Sequence, residues 1–240
     1  MDFIARYWVD YLVGLGVGVA ISAVSMAMSI IIGTFTALGR RGSSAAVRLA
    51  AGAYVALFRA VPPLLMLYFV YFGLPVWAQQ TEIPFVADLF EPLNNRIVAA
   101  MVAIALTSGA YSTEIIRAGI EAVSEEQVEA AKSIGMSGRM TFVRVVAPQA
   151  FRVAFPPLGN EYVYLLKGTS LVSVIGVVEL MRTAQLAAGT TFQHLLAYSM
   201  AGAYYIAFVA FLQFTLGLLE KRFPGRQRGT RTAGKPLARG

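Results

Sequence analysis

Four long stretches of the sequence contain no Asp, Glu, Lys or Arg, and the first of them runs from Tyr11 to Gly39. A helix needs about 20 mostly apolar residues to cross the hydrocarbon core of a membrane. Hydrophobic residues make up 57% of the 240-residue chain and charged residues 14%, whereas a typical soluble protein is about 25% charged. The sequence therefore predicts an integral membrane protein, and it excludes a soluble enzyme.

These stretches predict an all-α membrane protein with five transmembrane helices. The predicted spans are about 11–39, 54–78, 97–118, 153–178 and 195–219. The fourth span carries Glu161 and Lys167, whose charges need protein or water around them because a charge that faces lipid is expensive. The segment Ala188 to His194 is predicted to be a loop. A single transmembrane domain, 11–220, then lies between an external segment, 1–10, and a basic tail, 221–240, that we expect to be disordered.

The basic residues are sorted between the two sides of these spans. One set of alternate loops, together with the tail, holds most of the 20 Lys and Arg residues: Arg40, Arg41, Arg48, Arg117, Lys132, Arg139, Arg144, Arg152 and those from Lys221 to Arg239. Lys and Arg concentrate in cytoplasmic loops, so we expect the N-terminus outside and the C-terminus in the cytoplasm. The net charge of +7 then reflects orientation and anionic lipid headgroups rather than nucleic acid binding.

Other kinds of chemistry are excluded by what the sequence lacks. It has no cysteine and one histidine, His194, so we predict neither a disulfide nor a metal or haem site. It has no Gly-x-x-x-x-Gly-Lys-Ser/Thr phosphate loop, so we expect the chain to be neither an ATPase nor any other enzyme, and to hold no cofactor itself.

The loop at 120–150 between the third and fourth spans has helix signals of its own. The segment Ser124-Glu-Glu-Gln127 has the form of a capping box, which predicts a short helix from Glu125 to Ile134. Gly135 is a natural stop for that helix. A second helix, capped by Ser137, is expected to end before Pro148.

The loop also carries a recognisable pattern. Glu129-Ala-Ala-x-x-x-Gly135, followed by Val145-Val-Ala-Pro148, resembles the EAA loop of the permease subunits of bacterial ABC importers. The family pattern has isoleucine where this chain has Val145 and leucine where it has Ala147. Both departures change packing and remove no functional group.

Further segments resemble the polar amino acid branch of these permeases, in the family's order. They are Phe58-Arg-Ala-Val-Pro-Pro63, Tyr71-Phe-Gly-Leu-Pro75, Ala110-Tyr-Ser-Thr-Glu-Ile-Ile-Arg-Ala-Gly119, Pro148-Gln-Ala-Phe-Arg152, Pro157-Leu-Gly-Asn-Glu-Tyr162, Leu166-Lys-Gly-Thr-Ser-Leu171 and Ser173-Val-Ile-Gly-Val-Val-Glu-Leu180. The resemblance covers about residues 11–220.

The resemblance implies a type I ABC importer (MetI-like) permease fold in the bacterial cytoplasmic (inner) membrane. Such a subunit pairs with a second permease, a separate ATPase that binds ATP and Mg, and an extracytoplasmic binding protein that delivers a polar amino acid. It works by alternating access. The residues implied to contact the ATPase are Glu129, Ala130, Ala131, Ser133, Gly135 and Pro148.

Polar residues of the fourth span are candidates for the substrate path. Asn160, Glu161 and Lys167 lie along about 10 Å of helix, where a carboxylate and an amine suit a zwitterion. Thr169 and Ser170 contribute if the helix opens before them. Alternatively, the two charges make only structural pairs, although residues six apart do not share a helix face.

Two further charged positions have structural alternatives. Arg59 precedes two prolines that should distort the second span, and it either reaches the cytoplasmic headgroups or holds an internal gate. Glu114 and Arg117 are three residues apart and are expected to pair.

The sequence also allows an alternative function of a different class. A stand-alone channel or ion-coupled amino acid carrier would have the same hydropathy but no ATPase to dock. The sequence leaves open which polar amino acid is carried, and whether the second permease is identical or a sister chain.

Overall fold

The computed structural model of the protein describes residues 2–221, which form helices joined by short turns. Apart from Lys221, the predicted tail 221–240 lies outside the described residues. The helices are α1 (Asp2–Gly39), α2 (Ala45–Ala60), α3 (Pro63–Tyr68), α4 (Leu74–Gln80), α5 (Pro84–Phe90), α6 (Arg96–Glu121), α7 (Glu125–Ser133), α8 (Gly138–Thr141), α9 (Ala147–Gly168), α10 (Leu180–Thr191) and α11 (His194–Glu220). Two π-helical turns, Phe69–Gly73 and Phe142–Val146, and two 3-10 segments, Glu91–Asn94 and Thr169–Ile175, connect some of them.

Two close helix crossings organise the fold. The contact between α1 and α6 is the most extensive between any two helices described, and α6 also packs against α9. A Cβ added at Gly33 of α1 would lie 2.8 Å from Cβ of Ser112, and one added at Gly119 of α6 would lie 2.7 Å from the carbonyl oxygen of Ala150. These separations are too short for a side chain, so glycine sets both crossings.

Hydroxyl groups hold α1 to α6 across the first crossing. The Ser25 hydroxyl donates to the carbonyl oxygen of Met101 at 3.1 Å, and Ser29 Oγ lies 3.2 Å from Ser108 Oγ and 2.7 Å from Ser112 Oγ. Small hydroxyl residues are common between membrane helices because they allow close approach and bond across the interface. The interface at the centre of the fold is therefore built from side chains that are small and polar.

Each π-helical turn lies just before a proline. A proline within a helix clashes with the carbonyl four residues earlier and cannot donate to it. For Pro75 that carbonyl belongs to Tyr71, at the centre of the turn Phe69–Gly73, and for Pro148 it belongs to Arg144, at the centre of the turn Phe142–Val146. The widened turns let the helical path continue past both prolines.

The described residues contain three helices that are long and apolar enough to cross a membrane, α1, α6 and α11. The count rises to five if each of two bent pairs is one span. The chain bends by 108° between Ala45–Ala60 and Pro63–Gln80, at the prolines predicted to distort it, and by 47° between Gly138–Ile175 and α10. The predicted second span, 54–78, therefore contains a sharp bend, whereas the bend between Ile175 and Leu180 lies at the end of the predicted fourth span, 153–178.

Helix α1 begins at Asp2, so the residues predicted to be an external segment before the first span are helical and continuous with it. Two predicted boundaries are wrong. The predicted loop from Ala188 is helical as far as Thr191, because α10 was not foreseen. The helix after Ser137 does not end before Pro148, since the π-helical turn carries it into α9. Gly168 does end the α-helix, and a tighter 3-10 segment follows it.

Candidate functional site

The helix α7 ends where the sequence predicts. Gly135 has φ of +85°, its N–H donates to the carbonyl oxygen of Lys132 at 2.9 Å, and the N–H of Met136 donates to that of Ala131 at 3.1 Å. These two bonds form a Schellman motif, which needs a residue in the left-handed region and so favours glycine.

The predicted capping box at the start of α7 does not form. Ser124 is the N-cap residue, but its side chain makes no capping hydrogen bond. The side chain of Gln127 instead accepts a hydrogen bond of 2.7 Å from the amide of Gln149, at the start of α9. A tertiary bond has replaced the local one.

An apolar cluster fixes the loop to the two helices that flank it. Buried Ile120, Val146 and Ala150 form its centre, with Val128 of α7 and Phe142 packed against them. With the Gln127 bond, this cluster holds α7 in one position relative to α6 and α9.

The residues predicted to contact an ATPase divide into two groups. Glu129, Ala130 and Ser133 are exposed on α7, as is Pro148 at the start of α9. Ala131 is only 6% exposed, because it faces the chain's own α8 and the turn that follows. The exposed face of α7 ends at Ile134, whose side chain is 80% exposed. The small size of Ala131 therefore serves packing within this chain.

Replacing Gly135 with alanine is expected to loosen the end of α7. A side chain in the left-handed region costs about 1–2 kcal/mol, so amides of α7 should exchange hydrogen about 5- to 30-fold faster. Gly138→Ala is the matched control, since a Cβ there meets nothing within 4 Å and its φ is not positive. Equal exchange rates in the two variants would contradict the role given to Gly135.

A cavity of about 80 Å³ lies between α3, α6 and α9. Its polar lining is Thr107, Ser108 and Tyr111 of α6 and Glu161 and Tyr164 of α9. Residues three or four apart share a helix face, so one face of each helix supplies these groups. The volume is well below the roughly 300 Å³ of a typical ligand site.

Glu161 is held by a chain of hydroxyl groups. The Ser108 hydroxyl donates to Glu161 Oε1 at 2.8 Å, and Ser108 in turn contacts Ser29 of α1. The α1–α6 crossing therefore positions the carboxylate that α9 brings to the cavity.

The other predicted substrate-path residues do not line this cavity. Asn160 and Lys167 are exposed elsewhere on α9. The hydroxyls of Thr169 and Ser170 donate to the carbonyl oxygens of Leu166 and Lys167, at 2.7 and 2.9 Å. Within the described residues Glu161 and Lys167 form no salt bridge with each other.

The sequence analysis missed the cavity residues of α6. Ser108 and Tyr111 are polar, three residues apart and inside an apolar span, which is the signal that would have indicated a polar face. That signal is ambiguous, because a hydroxyl in a helix often bonds its own backbone, as Thr107 does to the carbonyl oxygen of Ala103 at 3.0 Å.

Arg59 contacts a residue of the cavity wall. It is in the last turn of α2, about 21 Å along the helix from Ala45, whereas the basic turn at Arg40 precedes the first residue of α2. Its guanidinium carbon lies 5.3 Å from the ring centroid of Tyr111, within cation–π range. The contact with Tyr111 shows what Arg59 packs against, and both alternatives for Arg59, headgroup contact and gating, stay predictions.

The predicted pair of Glu114 and Arg117 is confirmed. Arg117 Nη2 lies 2.8 Å from Glu114 Oε2, and its Nη1 lies 2.7 Å from Glu121 Oε1. Arg40 at the end of α1 also pairs with Glu114. The network ties the end of α1 to the end of α6, beside the loop that carries α7.

Comparison with known proteins identifies the family. Residues 29–224 match the family model described as binding-protein-dependent transport system inner membrane component. The octopine transport system permease protein OccQ of Rhizobium radiobacter is 34% identical over 221 residues, which cover 92% of this chain and 93% of that protein.

Solved structures agree with this match. One chain of an amino acid ABC transporter with histidines is 32% identical, with a TM-score of 0.80 over 92% of this chain and 99% of that one. A chain of the inward-facing MetNI methionine ABC transporter is 13% identical, with a TM-score of 0.67 over 88% and 95%, which shows the all-helical MetI-like fold. The chain belongs to the family of inner membrane components of binding-protein-dependent transport systems.

Proposed function

We propose that this chain is the transmembrane subunit of an ABC importer that carries a polar amino acid across the bacterial cytoplasmic membrane by alternating access. Octopine is transported by the system of one relative, and a solved structure of similar sequence is of an amino acid ABC transporter. The chain has five spans in this proposal, with each bent pair counted as one, its N-terminus outside and its C-terminus in the cytoplasm.

The exposed face of α7 carries the proposal. This face presents Glu129, Ala130 and Ser133, and beside them Ile134, which is almost fully exposed. The apolar cluster of Ile120, Val146 and Ala150 fixes the helix to the spans. Small side chains at Ala130 and Ser133 let another protein approach the helix closely, and the exposed Ile134 adds apolar area that such a contact would bury. A rigid connection to the spans would transmit movement of that protein, so we propose an ATPase, holding ATP and Mg, as the partner at Glu129, Ala130, Ser133 and Pro148.

Two of the six coupling residues act indirectly in this proposal. Ala131 packs α7 on its own chain, and Gly135 ends the helix, so both shape the contact surface rather than meet the ATPase.

The cavity supports a second permease as a further partner. The cavity that Glu161 lines has about 80 Å³, below the roughly 300 Å³ of a typical ligand site, so we propose that a second permease, identical or a sister chain, completes the path. Glu161 is the proposed contact for a cationic group of the substrate. Asn160, Lys167 and Ser170 remain candidates at surfaces that a second permease would cover, and Arg59 remains a candidate gate.

Uptake into vesicles tests the proposal. The chain, its ATPase and its binding protein are reconstituted together, and uptake of radiolabelled glutamine, glutamate, histidine, arginine and lysine is measured. We expect uptake of at least one of these that needs ATP and both partners. Uptake by the chain alone, driven by an ion gradient, would establish the carrier alternative instead.

A further inference from the structure

A guanidinium without an acidic partner lies beside the cavity. Arg59 is exposed and forms no salt bridge with any residue in the range 2–221, whereas Arg40 and Arg117 both pair with Glu114. A charge that faces hydrocarbon is expensive, so Arg59 must face the cavity, water or another protein chain.

The contacts of Arg59 direct it toward the cavity. Its guanidinium carbon lies 5.3 Å from the ring centroid of Tyr111, and Tyr111 lines the cavity together with Ser108 and Glu161. Pro63, four residues after Arg59, also lines the cavity. The Tyr111 ring thus holds the cation against a residue of the cavity wall without neutralising it.

The cavity then has an anion in its wall, Glu161, and a cation, Arg59, that contacts another of its wall residues. Glu161 accepts a hydrogen bond from Ser108 and is not paired with Arg59. The cavity also has open space at Gly168, another wall residue, where an added Cβ meets no atom within 4 Å. A ligand with one carboxylate and one cationic group matches this arrangement.

We propose that Arg59 binds the α-carboxylate of the transported amino acid, while Glu161 binds a cationic group of the same molecule. A planar guanidinium offers two parallel donors to a carboxylate, which the ammonium of Lys167, outside the cavity, does not. This inference rests on the proposed function, and it assigns Arg59 to ligand recognition rather than to gating alone.

The test separates the carboxylate from the rest of the ligand. Uptake assays first identify which of the five radiolabelled amino acids the wild-type complex transports. Binding of that amino acid, and of the amine formed from it by loss of the α-carboxylate, is then measured by equilibrium dialysis on the permease–ATPase complex without the binding protein. Leaving out the binding protein removes its own selectivity from the result.

Arg59→Gln is expected to weaken binding of the amino acid about 10- to 100-fold, because a charge-assisted contact is lost, and to leave binding of the amine within about twofold. Arg59→Lys keeps the charge and should fall between the wild type and Arg59→Gln for the amino acid. Arg48→Gln removes the same charge from the other end of α2, where Arg48 bonds the carbonyl oxygens of Gly42 and Ser43, and should change neither ligand's affinity.

Equal weakening of both ligands by Arg59→Gln, or no weakening of either, would overturn the role of Arg59. A gate would affect both ligands equally, so that outcome would favour gating. If the wild-type complex transports none of the five amino acids, the proposed function fails instead, and the two failures are distinguishable.

Discussion

Replacing Ala130 with tyrosine is expected to reduce ATP-driven uptake by about 10-fold or more while the permease stays folded in the membrane. Ala130 is exposed on α7, so a phenol ring there meets solvent in the isolated chain. Against a partner in close contact the same ring must displace packed atoms, and overpacking costs about 1–3 kcal/mol, where each 1.4 kcal/mol is about tenfold in affinity.

The measurement compares uptake with recovery of the ATPase in the purified complex. Both should fall for Ala130→Tyr, and thermal unfolding of the permease should not change. Ala122→Tyr is the matched control, because Ala122 is an exposed alanine in the same loop, just before α7. Normal uptake and normal ATPase recovery for Ala130→Tyr would remove this face of α7 from the contact.

A tyrosine at the neighbouring residue, Ala131, would not test the partner surface in the same way. Ala131 is 6% exposed, so a tyrosine there would overpack the contact between α7, α8 and the turn that follows. Its loss of uptake would come with lower thermal stability and would not identify a partner surface. The sequence pattern groups Ala130 and Ala131 together, and the structure separates them by the direction each side chain faces.

The end of α7 could be predicted from sequence and its start could not, for a physical reason. A Schellman motif at Gly135 depends on local backbone geometry that glycine permits. The capping box at Ser124 depends on the Gln127 side chain, which is engaged by Gln149 from a different helix. Contacts between distant segments are not visible in a local pattern.

Among the membrane-spanning helices, too, the features set by local sequence could be predicted and those that depend on other segments could not. The charge-free stretches predict α1, α6 and α11, because hydropathy is a property of a segment. The prolines at 62 and 63 predict the break in the second span. Helix α10 escaped prediction because its N-cap is Glu179, a fully buried glutamate whose carboxylate accepts from the N–H groups of Met181 and Arg182, whereas the usual cap signal is Ser, Thr, Asp or Asn.

The cavity could be predicted only in part. Glu161 stands out in sequence as an acid inside an apolar span. Its distance from Lys167, six residues, already places the two on different faces of α9, and the structure puts Lys167 outside the cavity. The serines of α1 and α6 that hold Glu161 belong to a helix crossing, which no single segment reveals.

Replacing Glu161 with glutamine is expected to weaken uptake of the transported amino acid by about 10- to 100-fold, seen as a higher half-saturation concentration. The amide oxygen can still accept the hydrogen bond from Ser108, so the side chain keeps its position. What is lost is the negative charge, and a charge-assisted contact to a substrate cation contributes about 1.5–3 kcal/mol.

The stability of the variant distinguishes this role from a structural one. A neutral amide is easier to bury than an unpaired carboxylate, so Glu161→Gln should unfold at the same temperature as the wild type or a higher one. If Glu161 were purely structural, the substitution would lower the unfolding temperature and leave uptake kinetics unaltered. Glu121→Gln, which removes a carboxylate from an exposed ion pair with Arg117 on α6, is the control and should change little. Unchanged uptake by Glu161→Gln would exclude this carboxylate from the substrate path, whereas weaker uptake by an equally stable permease would place it there.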